Sequence, residues 1–448
     1  MSRSPFGRVV LALLAAVLFA IACSPDDELL GEVDAGDLPS DAIVPLIDLS
    51  EFAIRGDLTV PEGHVVADVL NQGAAVHNLR LAGGPITADL NGGEGSLLDL
   101  GNLAPGTYEL FCEIPGHRSS GMEATLTVVP PADADMAKIS TERSQENNDW
   151  AQLDATMINS IKAFPATTEG SGNEPLEPKI LADGTKEFDL TVEITPWEVE
   201  PGKVVQAWTY NGTVPGPEIR VDVGDKVKVN VHNKLPMGTD IHWHGISTPN
   251  DQDGVSPITQ SLIESGDDYT YEFVAERVSV GMYHAHHHGH SQIPNGLFGV
   301  FLIGDVAIPR GQTIGGITVP EDVVIDREIP MVLNDAGVIG YSLNGKSVPA
   351  TEPYVVDGEE WILVTYYNEG LQIHPMHLHQ FPQIVIAKDG FTLDNPYVAD
   401  TVNVAPGERY TVLINPNREG TWVWHCHILT HVEKDEGMFG MVTAIVVT

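Results

Sequence analysis

The segment "TWVWHCHILTHVEKDEGMFGM", residues 421–441, places Cys426 between two histidines, and a third histidine and a methionine follow. Thiolate, imidazole and thioether groups are the ligands that soft transition metals prefer in proteins. Successive side chains of a β-strand point to opposite faces, so His425 and His427 would share one face while Cys426 lies on the other. The segment therefore predicts a strand that supplies ligands on both of its faces.

The composition describes an acidic globular protein. The chain has 448 residues, of which 42% are hydrophobic and 19% charged, a length that suits about three domains. Lys and Arg number 23 against 63 Asp and Glu, so the formal net charge is −40. This charge argues against nucleic acid and anionic membrane surfaces as partners. It suits a soluble protein, or one that docks a cationic partner.

The N-terminus indicates export. Arg3 and Arg8 precede an apolar run of 14 residues, Val9–Ala22, which has the length of a secretory signal peptide and is short for a membrane span. The stretch "AIAC" (20–23) resembles a bacterial lipobox, although Ala20 stands where Leu is usual. We expect a signal peptide over 1–22, a lipid anchor on Cys23 and an acidic tether over 23–45, in a periplasmic or cell-envelope lipoprotein. An ordinary signal peptide is the alternative.

The rest of the chain predicts β-structure. "EFDLTVEI" (187–194) and "KVKVNVHN" (226–233) alternate apolar and polar residues, and Gly and Pro interrupt the chain often. One helix is expected, over 149–163, with an apolar face of Trp150, Leu153, Met157, Ile158 and Ile161. The pattern favours β-sandwiches in series.

An internal repeat aligns "YHAHHHGHSQIPNGLFGVFLI" (283–303) with "WHCHILTHVEKDEGMFGMVTA" (424–444) without a gap. The alignment pairs Ala285 with Cys426, His290 with His431 and Leu297 with Met438. Thr239 likewise stands where His374 stands in the second copy. Two similar domains are therefore predicted side by side, and the first has lost its sulfur ligands and keeps His290 as a relic.

A second ligand set lies near the N-terminus. "YELFCEIPGHRSSGM" (108–122) spaces Cys112, His117 and Met122 as C-x4-H-x4-M, and His77 lies upstream. Two imidazoles, one thiolate and a weak axial thioether make a blue copper site. A buried free cysteine beside an accidental His and Met is the alternative. The stretch 46–130 resembles plastocyanin-type cupredoxins.

The histidines are patterned. Among the 17 histidines, six pairs stand at i,i+2, where composition alone predicts roughly 0.6. Such a pair presents two imidazoles to one point only on a strand. Four of these pairs stand in segments that resemble the four copper signatures of multicopper oxidases, in the family's order across about 180–448: "DIHWHG" (240–245), "MYHAHHHGHSQIPNGLFG" (282–299), "HPMHLHQF" (374–381) and "WHCHILTH" (424–431).

The resemblance implies a role for each matching residue. The type 2 copper ligands would be His242 and His377, and the type 3 ligands would be His244, His284, His286, His379, His425 and His427. A type 1 site would take His374, Cys426, His431 and Met438. Met438 lies seven residues after His431, where the family often has five, so Met441 is the alternative. With His77, Cys112, His117 and Met122, the chain would bind about five coppers, namely two type 1, one type 2 and a type 3 pair.

Other polar residues are candidates for proton transfer or for binding a substrate metal. Thr430 stands where some relatives carry an acid thought to supply protons, so Asp253 is the candidate proton relay; an ordinary turn aspartate is the alternative. His287 and His288 would bind a substrate metal or be merely solvated.

The predicted fold is all-β, with three cupredoxin-like Greek-key β-sandwiches in series. They cover 46–130, with a type 1 site; 179–310, without one; and 311–448, with one. A linker with a short helix fills 131–178. The two catalytic domains are adjacent, as in two-domain oxidases whose cluster forms between neighbouring chains of a homotrimer. The resemblance therefore implies a trimer. A cluster that forms within one chain is the alternative.

The implied function is that of a laccase-like oxidase, which takes single electrons at type 1 copper and reduces O2 to water at a trinuclear cluster. Phenols, aromatic amines, Cu(I), Fe(II) and Mn(II) all fit as reductants. The N-terminal site would relay electrons from a redox partner protein or form a separate uptake site. A copper nitrite reductase is the main rival, but it would need a type 1 site where Ala285 stands. A non-enzymatic periplasmic copper or electron-transfer protein would not need the eight cluster histidines.

Overall fold

The computed structural model describes residues 31, 33, 38–50, 53–130, 139, 150–434 and 436–448. The signal peptide, the lipid anchor on Cys23 and most of the tether and of the linker before residue 150 lie outside these residues. Among the helices in the described ranges, none combines the length and the apolar character that a membrane crossing requires.

The chain forms two compact units, which divide between Asn147 and Asn148. The first unit is a β-sandwich of two four-stranded sheets, ordered β2-β1-β4-β6 and β3-β8-β7-β5. Alternate residues of β4, such as Val65, Ala67 and Val69, are buried with Leu126 and Val128 of β8 in the core between the sheets. The strands are β1 (Leu46–Ser50), β2 (Ala53–Gly56), β3 (Thr59–Pro61), β4 (Gly63–Asn71), β5 (Arg80–Leu81), β6 (Gly95–Leu103), β7 (Gly106–Phe111) and β8 (Glu123–Val129).

The second unit begins with a helix and a sandwich whose sheets are ordered β11-β10-β13-β15, with β9 beside β10, and β12-β17-β16-β14. Its elements are α1 (Trp150–Lys162), β9 (Lys179–Ile180), β10 (Lys186–Glu200), β11 (Lys203–Tyr210), β12 (Gly216–Val221), β13 (Lys226–Asn233), β14 (His242–His244), β15 (Asp268–Val274), β16 (Ser279–His284), α2 (Gly289–Gln292) and β17 (Phe298–Ile303).

A second sandwich completes this unit, with sheets ordered β21-β20-β23-β28-β25-β26 and β22-β32-β29-β24-β27 and two small ribbons, β18-β19 and β30-β31. Its strands are β18 (Thr313–Ile314), β19 (Ile317–Thr318), β20 (Arg327–Ala336), β21 (Gly340–Leu343), β22 (Tyr354–Val356), β23 (Ile362–Asn368), β24 (His374–Leu378), β25 (Gln383–Lys388), β26 (Phe391–Ala399), β27 (Thr401–Val404), β28 (Arg409–Ile414), β29 (Gly420–Cys426), β30 (Glu433–Lys434), β31 (Gly437–Met438) and β32 (Val442–Val447).

The all-β prediction is confirmed, and the alternation explains most of the core. Phe188, Leu190 and Val192 of β10 are buried as predicted. Ile194 was expected to face inward but is 37% exposed. The reason is that β10 runs on past the first core and buries Trp197 in a different cluster, shared with residues of the second sandwich.

The predicted helix occurs as α1, but its buried face differs from the prediction. Ile158 and Ile161 were expected on that face and are 48% and 47% exposed. The helix instead directs Ser160 towards Gly437, where an added Cβ would lie 2.5 Å from Ser160 Oγ and 3.2 Å from the backbone carbonyl oxygen of Thr156. A small polar residue fits this close approach to a backbone, so apolarity alone was a poor guide to the face.

Candidate metal sites

Three side chains of the last sandwich converge on one point, and we call them the C-terminal trio: His374, Cys426 and His431. His374 begins β24, Cys426 ends β29, and His431 closes the 3-10 turn that follows. Cys426 Sγ lies 3.7 Å from His374 Nδ1 and 3.6 Å from His431 Nδ1. All three residues are buried. Two imidazoles and one thiol at this spacing fit a type 1 copper ion.

The strand that carries Cys426 supplies histidines to its other face. Cys426 is buried, whereas His425 is half-buried and His427 is exposed. Neighbouring β24 pairs in register, with Met376 opposite Cys426 and His377 opposite His425. The alternation predicted from the sequence is therefore confirmed: Cys426 and its flanking histidines serve different faces of one strand.

A buried carboxylate holds the first histidine of the trio. Asp335 Oδ2 accepts a hydrogen bond from His374 Nε2 at 2.9 Å, and neither side chain is exposed to solvent. The backbone N–H groups of Leu371 and Gln372 also donate to Asp335. With its Nε2 proton engaged, His374 turns a bare Nδ1 towards Cys426. No spacing pattern pointed to Asp335, because it lies 39 residues before its partner.

Burial controls the protonation of the metal-free trio. It raises the pKa of the Cys426 thiol to about 12 and lowers the pKa of His431 to about 4, with His374 adding to the second effect. Burial would also raise the pKa of Asp335, but the hydrogen bonds from His374, Leu371 and Gln372 hold it below its usual value. Near neutral pH Cys426 is thus a thiol and His431 a neutral imidazole, and metal binding must release the thiol proton.

The first unit contains a second trio, the N-terminal trio, formed by His77, Cys112 and His117. Cys112 Sγ lies 3.5 Å from His117 Nδ1, which is 3.1 Å from His77 Nδ1. Asn78 Oδ1 accepts a hydrogen bond from the backbone N–H of Glu113 at 2.7 Å and so joins the two ligand segments. Burial raises the pKa of Cys112 and lowers that of His117. The structure brings these three predicted residues together, and Met122 is buried beside them in the same core.

The backbone identifies which methionine of the last sandwich corresponds to Met122. In the first unit, Cys112 N–H donates to the carbonyl of Met122, and Met122 N–H donates to His117. In the last sandwich, Met441 makes both of these bonds, with Cys426 and His431. Met441 is fully buried, whereas Met438 is half-buried on the short strand β31.

The middle sandwich contains a degenerate copy of the same site. Ala285 N–H donates to the carbonyl of Leu297, and Leu297 N–H donates to Gln292, so Gln292 takes the position of His431. Its side chain is buried and accepts a hydrogen bond from Thr239 at 2.8 Å. The prediction that His290 is the relic ligand is wrong, because His290 is exposed. The ungapped alignment fails here, since His284 pairs with Phe298 but His425 pairs with Val442, three residues later than expected.

The eight remaining predicted ligands form two separate groups of four. The middle histidine group consists of His242, His244, His284 and His286, and the C-terminal histidine group of His377, His379, His425 and His427. Within the groups, His244 Nδ1 lies 3.3 Å from His284 Nε2, and His379 Nε2 lies 3.2 Å from His425 Nε2. All eight belong to the described residues, and no hydrogen bond or ring contact joins one group to the other.

Matching backbone carbonyls orient both groups. His242 Nδ1 donates to the carbonyl of Asp253 at 2.9 Å, and His377 Nδ1 donates to that of Asp400 at 3.0 Å. His284 and His425 donate in the same way to the carbonyls of Ala285 and Cys426. Each of these rings therefore keeps Nε2 as its metal-binding nitrogen. Burial lowers the pKa of His244 to about 4 and that of His284 to about 3, so both are neutral and able to bind metal near neutral pH.

Two aspartates support the middle histidine group. Asp253 lies with its carboxylate 3.6 Å from His242 Nδ1, while its backbone carbonyl makes the hydrogen bond. Asp240, which the sequence analysis missed, is fully buried and accepts hydrogen bonds from the backbone N–H groups of His286 and His287 through one oxygen. Its other oxygen accepts from Ser256. Its position two residues before His242 was the available signal.

The extra histidines lie on the surface beside this group. The rings of His287 and His288 are 4.4 Å apart, and His288 and His290 are 6.2 Å apart. His288 and His290 are exposed.

Known proteins share sequence and fold with part of this chain. A family model described as multicopper oxidase matches residues 191–307, and another with the same description matches residues 324–446. The solved multicopper oxidase mgLAC is 32% identical and covers 58% of this chain and 86% of its own, with a TM-score of 0.52. The blue copper oxidase from Nitrosomonas europaea is also 32% identical and covers 58% and 85%, with a TM-score of 0.53.

Fold and ligands together define a copper protein built of cupredoxin-like sandwiches. The chain belongs to the multicopper oxidase family. Laccase-2 of Botryotinia fuckeliana is 32% identical over 266 residues, which are 54% of this chain and 45% of that protein. The chain thus spans about half the length of the curated relatives it matches. The family models begin at residue 191 and leave the N-terminal unit outside the match.

Proposed function

We propose that the protein is a laccase-like oxidase that takes single electrons at type 1 copper and reduces O2 to water at a trinuclear copper cluster. One observation carries the proposal: Cys426, the last residue of β29, belongs to the C-terminal trio while its sequence neighbours His425 and His427 belong to the C-terminal histidine group. A single strand therefore joins a site suited to electron uptake with one suited to oxygen reduction. Copper supplies the one-electron chemistry when bound, and the protein supplies ligand geometry and orientation.

The residues of each site have distinct tasks. His374, Cys426 and His431, which are all buried, would hold the type 1 ion, and Asp335 would keep His374 in the tautomer that binds metal. His242 and His377 are the proposed type 2 ligands, and the other six histidines of the two groups are the type 3 ligands. Asp253 is the proposed proton relay, supported by its carboxylate lying 3.6 Å from His242 Nδ1.

The fourth ligand of the C-terminal trio is proposed to be Met441 rather than Met438. The hydrogen bonds that Met441 shares with Met122 support this choice. Met441→Leu should change the blue absorption band and the type 1 midpoint potential, because the axial ligand tunes both. It should cost less than about 1.5 kcal/mol of stability, since Leu nearly conserves the volume. Met438→Leu is the matched control, and a larger spectral change in that variant would restore the prediction from the alignment.

Two neighbouring copies of the chain are proposed to complete each trinuclear site, in a homotrimer. The separation of the two histidine groups supports this, as does the exposure of His286, His379 and His427. Mixing provides the test: an inactive His286→Ala protein and an inactive His427→Ala protein, unfolded and refolded together, should recover oxygen uptake if sites form between chains. Sites closed within one chain would recover none, since every chain would carry a defect in its own site.

The N-terminal trio is proposed to be an electron-transfer site that relays electrons from a redox partner, in an exported protein. A partly exposed His117 supports contact with an external donor. The reductant for the C-terminal trio is proposed to be a small phenol, an amine or a metal ion.

Copper content, electron paramagnetic resonance and oxygen uptake on the purified protein test the whole proposal. About five coppers per chain, with two type 1 signals, one type 2 signal and oxygen consumption, are expected. Nitrite-dependent turnover without a coupled pair would favour a nitrite reductase. Two blue coppers without turnover would leave an electron carrier.

A further inference from the structure

The C-terminal trio has no ligand edge at the surface. His374 and Cys426 are fully buried, and His431 is 2% exposed. In the N-terminal trio, by contrast, His117 is partly exposed. Electrons from an external donor therefore reach the C-terminal trio only through intervening protein atoms.

Tyr341, on β21, lies directly over His431. Its ring is stacked on the imidazole, with centroids 4.3 Å apart and planes 27° apart. Tyr341 itself is partly exposed. It is thus in face-to-face contact with a ligand on one side and open to solvent elsewhere.

Neighbouring groups fix the ring in this position. Gln372 Nε2 donates a hydrogen bond to the Tyr341 hydroxyl at 3.3 Å, and Phe439 approaches the ring edge-on at 6.0 Å. Gln372 also donates its backbone N–H to Asp335, the carboxylate that holds His374. Tyr341 is therefore connected to both histidines of the trio, to His431 by stacking and to His374 through Gln372 and Asp335.

We propose that Tyr341 is the positioning residue through which electrons pass from an external reductant to the C-terminal trio. The inference rests on the proposed function, because it requires a type 1 ion in that trio. One electron leaves the reductant and one arrives at the site. No bond forms or breaks, no proton moves, and Tyr341 is itself neither oxidised nor reduced. Its ring provides a short path in van der Waals contact where solvent or an aliphatic side chain would provide a weaker one.

The test measures reduction of the trio without turnover. In full-length, copper-loaded protein carrying Cys112→Ser, the blue band reports the C-terminal trio alone. Hexaammineruthenium(II), an outer-sphere reductant, is mixed with this protein in the absence of oxygen, and bleaching is followed by stopped flow. Tyr341→Leu should slow bleaching by at least about tenfold, which corresponds to about 1.4 kcal/mol of barrier. Tyr341→Phe, which keeps the stack, should stay within about twofold, less than about 0.5 kcal/mol.

Three further measurements separate this role from a structural one. The midpoint potential and the paramagnetic resonance spectrum should be unchanged in Tyr341→Leu, and Tyr341→Met provides a second variant without the ring. Tyr397→Leu, which removes an exposed tyrosine from β26, should bleach at the parental rate. Parental bleaching in both Tyr341→Leu and Tyr341→Met would overturn the proposal, as would slow bleaching fully explained by a shifted potential. If the Cys112→Ser protein shows no blue band, the proposed function itself fails.

Discussion

The two trios have the same donors and different surroundings. Cys112 lies between Phe111 and Glu113, and its partner His117 is partly exposed. Cys426 lies between His425 and His427, and its partner His431 is buried beneath Tyr341. The first environment suits exchange with a partner at the surface, and the second suits transfer inward to a neighbouring metal site. The two sites therefore differ in the residues that flank the cysteine and in the burial of the second histidine, rather than in the ligands.

The residues that hold the ligands in place also differ between the two trios. In the first unit the neutral amide of Asn78 joins the ligand segments, whereas a buried carboxylate, Asp335, holds His374 in the last sandwich. Helix α1 also packs against β31, where Ser160 Oγ accepts a hydrogen bond from Met438 N–H at 2.8 Å. A charged group thus supports the C-terminal trio, and an added helix supports the short strand that follows His431.

Replacing each cysteine in turn should give the largest difference in oxygen uptake between the two trios. Cys426→Ser should abolish the C-terminal blue band and lower oxygen uptake by at least about 1,000-fold, because electrons from a small reductant no longer reach the histidine groups. Cys112→Ser should abolish the other band with a much smaller loss of uptake. Copper analysis of both variants is the control for the remaining sites. Equal losses would show that all electrons pass through the N-terminal trio.

Asp335→Asn removes the negative charge of the group that accepts the hydrogen bond of His374. We expect copper affinity at the C-terminal trio to fall by about 10–100-fold, the usual effect of removing the partner of a metal-binding histidine. Titration with a chelator, followed by each blue band, measures this. The N-terminal trio of the same molecule is the internal control. An unchanged affinity would show that the carboxylate merely accepts backbone hydrogen bonds.

Glu369 of the last sandwich occupies a backbone position that has a counterpart, Gln72, in the first unit. Gln72 and Glu369 each follow the strand end and donate N–H to the facing strand, to Leu49 and Leu333 respectively. Gln72 is half-buried, but Glu369 is buried, and burial raises its pKa to about 8 although Arg409 opposes the shift. The folded chain thus keeps a proton that the unfolded chain releases above its ordinary pKa of 4.5, so Glu369 costs stability increasingly as the pH rises towards about 8.

Glu369→Gln should therefore stabilise the second unit, by little at pH 5 and by an amount on the order of a few kcal/mol at pH 8. Thermal unfolding at the two pH values measures the difference. Gln72→Glu, at the half-buried position, is the matched control and should change little at either pH. A pH-independent gain would mean that Glu369 is ionised in the folded protein.

Ser160→Ala should have the smallest effect. The loss of its hydrogen bond with Met438 should destabilise the second unit by about 1 kcal/mol, and the first unit should be unaffected. Asn159→Ala, an exposed change on the same helix, is the control. If both variants behave alike, the bond between helix and loop contributes nothing measurable.

The alternation of polar and apolar residues predicted much of the fold and of the sites. The i,i+2 spacing picked out the histidines of both groups, and the C-x4-H spacing picked out the cysteine and one histidine of each trio, whereas His374 was assigned from the resemblance to multicopper oxidases. The errors came where the backbone leaves that regular pattern. Ile194 is exposed because β10 continues into a second core, and α1 turns the half-buried Ser160 rather than Ile158 towards its neighbour because it packs against a glycine of another strand.

The sequence by itself determined which residues can bind metal and which face of a strand each occupies, because the period of a strand is a local property of the backbone. Only the tertiary structure decided that Met441 takes the position of Met122, and that Gln292 rather than His290 fills the degenerate site. It also brought Asp335 to His374 and Tyr341 to His431. These choices depend on loop lengths and on contacts between distant strands, which spacing along the chain does not encode.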